Sequence, residues 1–172
     1  MPIKSVNPYT LEVLKTFEET TDSQAEQAID FAHEAFNDWK NTSYKERADL
    51  LNKIAATFRL KKKELSEMIT SEMGKLIAQS EYEVEYCANI FEYYAKNGAK
   101  FLEDTNVITD IGEAILTKAP IGVILAVEPW NFPFYQVSRV VAPNLMIGNT
   151  IVLKHSSNVP QRSVLKQLYF QS

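Results

Sequence analysis

Apolar residues between Ser23 and Lys40 fall at Ala25, Ala28, Ile29, Ala32, Phe36 and Trp39, the spacing of one face of an α-helix. Ser23 with Glu26 predicts a capping box at its start. A second Ser/Glu pair, Ser43 with Glu46, predicts the start of another helix, whose inner face is Leu50, Leu51, Ile54, Ala55 and Phe58; Lys61 to Lys63 mark its exposed end. A third helix carries Leu65, Met68, Ile69 and Met73 and stops at Gly74, a residue able to take the left-handed conformation. A fourth carries Val84, Cys87, Ala88, Phe91 and Ala95.

Beyond Phe101 the period changes. Val107 to Lys118 is β-prone, and Asp110 and Gly112 are placed to turn it into a hairpin closed by Pro120. Ile121 to Val127 is a nearly unbroken apolar run, which predicts a strand covered on both faces and ended by Pro129. A helix from Phe134 to Gly148 and a strand from Ile151 to Lys154 complete a parallel, right-handed strand-helix-strand unit. The predicted class is therefore α/β, and ligands in such sheets bind at the carboxyl ends of the strands.

The 172 residues, 45% hydrophobic and 23% charged, suffice for one packed core and exclude disordered and disulfide-scaffold chains. A net charge of −4 advertises no nucleic-acid or anionic-membrane partner. No apolar run approaches the roughly 18 residues of a membrane span, the first residues hold no signal core, and Cys87 stands alone. These features predict a cytoplasmic protein with a small-molecule or protein partner. The segment Leu168 to Ser172 matches most of the tobacco-etch-virus protease recognition sequence carried by expression vectors, so residues 167–172 are set aside as a candidate tag remnant.

The most unusual stretch is Glu128-Pro129-Trp130-Asn131-Phe132-Pro133, between the apolar strand and the following helix. Two prolines stiffen it, so the Asn131 amide either points at a ligand, donating to a developing oxyanion, or caps the helix while Trp130 packs. Lys154, at a strand end, either donates to a nucleotide's sugar or phosphate or is simply solvated. No Gly-rich phosphate loop is present. Arg139 lies among Val137, Val140, Val141 and Leu145, and a guanidinium buried there needs an anionic partner; it snorkels to solvent, pairs with Glu128, or grips a substrate carboxylate. Cys87 reads as a core residue and His33 as a surface one. His155 has no second ligand at useful spacing, so no metal site is expected.

At these residues the sequence resembles the aldehyde dehydrogenase superfamily, whose hallmark is a Pro-Trp-Asn-Phe-Pro loop followed by a strand ending in Lys. Asn7-Pro8-Tyr9-Thr10, Glu12-Val13, Ala35-Phe36, Trp39, Arg47 and Glu72-Met73-Gly74-Lys75 agree as well. Within that family it is most similar to the bacterial succinate-semialdehyde dehydrogenases, in which an Arg at the place of Arg139 is associated with the substrate carboxylate. The resemblance implies that Asn131 is the side-chain half of the oxyanion hole. It also implies that Pro129 and Trp130 shape the cofactor side of the loop and that Lys154 bonds the adenosine ribose. Where many NAD-using members carry Pro, a small residue and Glu after that Lys, this chain has His155, Ser156 and Ser157. The missing carboxylate at Ser157 removes a repulsion against a 2′-phosphate, which implies use of NADP as well as NAD.

The resemblance covers only the first third or so of a family member, and the nucleophilic cysteine and the glutamate base lie beyond it. The expected layout is an N-terminal helical part of the cofactor-binding domain (1–105), an oligomerisation hairpin (106–119) and the first strand-helix-strand of a Rossmann-like sheet (120–166). The chain alone is expected to be inactive, and the intact protein to be a homo-oligomer acting on a small aldehyde. The alternative is a naturally short, non-catalytic relative that acts by subunit association.

Overall fold

The computed structural model describes residues 2–161; the proposed tag remnant lies outside them. In chain order the elements are β1 (Ile3–Val6), β2 (Val13–Phe17), α1 (Asp22–Trp39), α2 (Tyr44–Leu60), α3 (Lys62–Met73), α4 (Ile77–Phe101), β3 (Thr105–Thr109), β4 (Gly112–Leu116), β5 (Val123–Glu128), α5 (Pro133–Ile147) and β6 (Thr150–His155).

The core forms where α2, α3 and α5 pack on the long α4. Leu51, Ile54, Ala55 and Phe58 of α2 meet Val84, Cys87, Ala88 and Phe91 of α4, and Phe134, Val137 and Met146 of α5 close the cluster. Phe58 stacks on Phe91 and meets Phe134 edge-on, each at 5.9 Å between ring centroids. Each such ring contributes about 1.5–3 kcal/mol through burial. Gly98 allows α5 to come this close, since a Cβ there would lie 2.3 Å from Met146 Cγ. Cys87 is a core residue, and burial pushes its thiol well above the usual range, which suits packing and not nucleophilic attack.

The α2 capping box forms as expected, with Ser43 Oγ accepting from the Glu46 amide and Glu46 accepting from the Ser43 amide. Gly74 ends α3 at φ 74°. In α1 the box sits two residues earlier than expected, with Thr21 and Gln24 in place of Ser23 and Glu26. Thr21 and Gln24 make the same reciprocal pair of bonds, and the earlier start sets Asp22 in the first turn, where a negative charge is favourable. Only Ala32 of the expected α1 face is buried; Phe36 and Trp39 are half-buried and Ala25, Ala28 and Ile29 are exposed.

The β1–β2 hairpin was not expected. Its strands pair antiparallel with a register shift at Ser5/Val6, and Leu11 takes φ 61° in the turn without a glycine to announce it. The β3–β4 hairpin forms as expected, with Thr109 opposite Gly112 across the turn. β5 and β6 pair in parallel from Val123/Thr150 to Glu128/His155. The expectation that this first strand is covered on both faces fails. Ala126 and Glu128 point inward, toward the side packed by α1 and α5, while Leu125 and Val127 are exposed on a bare face.

Candidate active site

The carboxyl edge of β5–β6 gathers the candidate residues. Val127 pairs with Lys154 and Glu128 with His155, so the Pro129 to Phe132 loop and Lys154 leave the sheet side by side. Pro129, Trp130, Asn131, Lys154 and Ser157 are all exposed there. Ser157 lies in the turn after β6, which is held from behind: buried Glu72 at the end of α3 accepts the Gln161 amide at 3.0 Å, and Gln161 Nε2 donates to Ser5 Oγ of β1 at 2.8 Å.

Asn131 does not cap α5. The N-cap position is Phe132, which has no side chain able to accept, and Pro133 opens the helix. The opening amides of the helix are satisfied by a side chain from another element. Glu83 of α4 accepts from the amides of Phe134 at 2.9 Å and Tyr135 at 3.2 Å through one carboxylate oxygen, and its charge complements the positive end of the helix. The other oxygen takes Lys75 Nζ, whose ammonium also lies 3.9 Å from the centre of the Phe132 ring. The pair is out of water, with side-chain exposures of 7% for Lys75 and 2% for Glu83. Asn131 itself accepts weakly from Gln136 Nε2 at 3.4 Å.

The far end of α5 is equally anchored. Arg47 is buried and donates to the carbonyls of Ile147 at 2.8 Å, Met146 at 3.2 Å and Lys40 at 2.9 Å, and to Thr42 Oγ1 at 3.0 Å. Trp39 Nε1 takes the Leu145 carbonyl at 3.0 Å. One guanidinium thus closes the carboxyl ends of α1 and α5, where positive charge is favoured, although burial lowers its pKa. Gly148 at φ 107° leaves room for it; a Cβ there would meet Arg47 Nη2 at 2.9 Å. Asn149 then accepts from the amides of Ile121 and Gly122 and fixes where β5 begins.

Arg139 is exposed, and the burial expected from its apolar neighbours does not occur, because Val137 and Val141 face the core from the opposite side of α5. It makes no ion pair with Glu128. Burial raises the pKa of Glu128, and the charge of Arg139 offsets this only in part. The guanidinium lies 5.9 Å from the centre of the Tyr135 ring. Tyr135 in turn borders an open cleft of ≈ 500 Å³ lined by Tyr82, Tyr86, Phe132, Glu83 and Lys75. Its aromatic wall is continuous, with ring centroids 6.0 Å apart for Tyr82–Tyr86, 5.6 Å for Tyr86–Tyr135 and 6.0 Å for Phe132–Tyr135.

Glu83, Arg47 and Glu72 carry this architecture, yet no role was expected for them. One signal was available for Glu83: it lies at helical spacing among Ser80, Val84 and Cys87, on the inner face of α4.

A parallel strand-helix-strand unit with a proline-stiffened loop and a strand-end lysine at its carboxyl edge defines the opening of a ligand-binding α/β domain. Residues 1–171 match the aldehyde dehydrogenase family. The chain belongs to that family. It is 41% identical over 98% of its length to the succinate-semialdehyde dehydrogenase [NADP(+)] of Deinococcus radiodurans, of which it covers 35%. A probable succinate-semialdehyde dehydrogenase [NADP(+)] of Synechocystis is 38% identical over the whole chain, which covers 38% of that protein. Among solved structures, the succinic semialdehyde dehydrogenase of Streptococcus pyogenes in complex with NADP+ superposes with a TM-score of 0.93 at 40% identity, over 97% of this chain and 37% of that one. The chain therefore spans little more than a third of the length of the relatives it matches.

Proposed function

We propose that the chain is the amino-terminal part of an NADP- or NAD-dependent dehydrogenase that oxidises succinate semialdehyde, or a related aldehyde, to the carboxylic acid. The observation that carries this reading is the Asn131 loop. Its helix is capped by Glu83, so the Asn131 amide is left at the sheet edge, exposed to a ligand. Arg139 lies on the same helix beside an aromatic cleft, a position suited to the remote carboxylate of a semialdehyde.

In the intact enzyme a cysteine thiolate, supplied by residues beyond this chain, adds to the aldehyde carbon and pushes negative charge onto the carbonyl oxygen. Asn131 Nδ2 donates a hydrogen bond to that oxygen. Lys154 and Ser157 are donors at the exposed edge of β6, and the sequence from Lys154 to Ser157 holds no carboxylate, so this edge fits a 2′-phosphate as well as a ribose hydroxyl. The nicotinamide cofactor accepts hydride when bound; Pro129, Trp130, Lys154 and Ser157 would hold it. Neither the nucleophile nor the base is provided by Cys87 or by the carboxylates of this edge, so the 172-residue chain by itself is expected to be silent.

The test is formation of reduced cofactor by the full-length enzyme with succinate semialdehyde, with NADP and NAD compared. Arg139→Ala should lower kcat/KM for the semialdehyde far more than for an uncharged aldehyde of equal length. Equal losses would remove Arg139 from the substrate site. Turnover by the 172-residue chain would overturn the division of labour.

The exposed β3–β4 hairpin favours a homo-oligomer, in which it pairs with another copy. The same observation supports the alternative, a short non-catalytic relative that acts by subunit association. Copurification of the chain with full-length subunits, without activity of its own, would favour that reading.

A further inference from the structure

Asn131 is useful only if its loop is held still, and the loop's own residues do not achieve this. Pro129 and Pro133 fix two φ angles and Pro133 confines Phe132 to extended backbone, but neither sets the dihedrals of Asn131 or the direction of the Phe132 side chain. Phe132, exposed on one side, is held on the other by the Lys75 ammonium 3.9 Å from its ring centre. Lys75 is held in place by Glu83, and Glu83 is itself anchored by the two opening amides of α5. The chain of contacts therefore runs from the α3–α4 joint, through two buried charges, to Phe132 and the first turn of α5, directly after Asn131.

We propose that Lys75 and Glu83 are positioning residues for the oxyanion-binding loop: together they fix Phe132 and the first turn of α5, and so the direction of the Asn131 amide. The assignment rests on the function proposed above. It also accounts for two otherwise costly charges in the core. Two such groups could be replaced by apolar ones without loss of packing, whereas only a cation can hold the ring face and only a carboxylate can accept two helix amides and the ammonium together.

The roles separate in two variants of the full-length enzyme. In the double variant Lys75→Met with Glu83→Gln both charges go together, so no unpaired charge is buried, and the glutamine amide oxygen still accepts from α5. Its thermal midpoint should stay close to wild type, while kcat falls about tenfold or more and KM for the aldehyde and affinity for the cofactor change by less than about twofold. The variant Lys75→Arg, which keeps a cation over the ring, should recover most of kcat. A double variant with wild-type kcat, or one whose kcat loss is matched by a rise in KM, would overturn the assignment.

A second readout does not depend on turnover. Hydrogen exchange in Glu83→Ala should speed up about tenfold or more at the Phe134 and Tyr135 amides and stay unchanged at Gly148 and Asn149, at the far end of the same helix. Unchanged exchange at Phe134 and Tyr135 would overturn the assignment. If the wild-type enzyme oxidised no aldehyde, the proposed function would fall by itself, and the exchange rates would decide whether the pair holds the loop.

Discussion

Asn131 shows how far a single residue can be read. The Pro-Trp-Asn-Phe-Pro sequence marks a stiff loop, but capping and ligand binding both suit an asparagine there. Capping is excluded by a residue 48 positions earlier in the chain, Glu83, which occupies the helix amides that Asn131 would otherwise have capped. Sequence pattern does not carry such long-range pairing, since a glutamate on a charged helix reads as solvated. The consequence for Asn131 is testable: Asn131→Ala should leave stability nearly unchanged, because its only side-chain bond among the described residues is the 3.4 Å contact from Gln136. It should cost turnover roughly a hundredfold, the effect of removing about 3 kcal/mol of oxyanion stabilisation. Steady-state kinetics and thermal melting of the full-length variant distinguish the outcomes. An unchanged kcat would take the oxyanion role away from this residue.

Elements were legible where local signals were unopposed. The α2 box, the Gly74 stop and the Asp110–Gly112 turn are short-range devices, and each forms where the residues predict. The β1–β2 hairpin was missed because its turn uses Leu11 at positive φ and its strands show little alternation of burial. The β5 face was misjudged because an apolar run states what could be buried, not what is. Between α2 and α4 the sequence also concealed a clamp: Arg59 donates to Glu85 at 2.8 Å, to Glu92 at 2.9 Å and to Asn89 at 2.9 Å. Hydrogen bonds from Arg59 hold both carboxylates below their usual range. A carboxylate with a depressed pKa in the folded state contributes stability that is present above its ordinary pKa and lost as the pH falls through that value toward the folded one. Glu128 has the opposite sign, since burial raises its pKa and its ionisation costs stability as the pH rises. Comparing the protein with Arg59→Gln cancels that contribution. The variant should melt lower at neutral pH, and the gap should narrow as the pH falls below the ordinary carboxylate range toward the depressed folded values. A gap that stays constant over that range would show that the clamp acts through packing alone.

At the scale of the molecule, the bare face of β5–β6 and the β3–β4 hairpin expose apolar residues to water among the described residues. The β5–β6 sheet has two strands and a bare face carrying Leu125 and Val127, whereas parallel sheets are normally covered on both sides. The β3–β4 hairpin stands clear of the core, with Ile108 fully exposed and Ile111, at its tip, 99% exposed. Isolated exposed apolar residues mean little, but a hairpin with Val107, Ile108, Ile111, Ile115 and Leu116 all open to water is a patch, and its free strand edges can extend another sheet. Burying each isoleucine against a second copy would contribute about 1.5–3 kcal/mol. A charge at the same place would have to be desolvated without a partner. If the hairpin pairs with a second copy as proposed, replacing both by lysine, Ile108→Lys with Ile111→Lys, should therefore split the proposed full-length homo-oligomer into smaller species in sedimentation velocity at micromolar concentration. The far-UV circular dichroism should be unaltered, because neither side chain touches the core. A variant that sediments as the wild type does would place the interface elsewhere and leave the hairpin's apolar surface without a role in association.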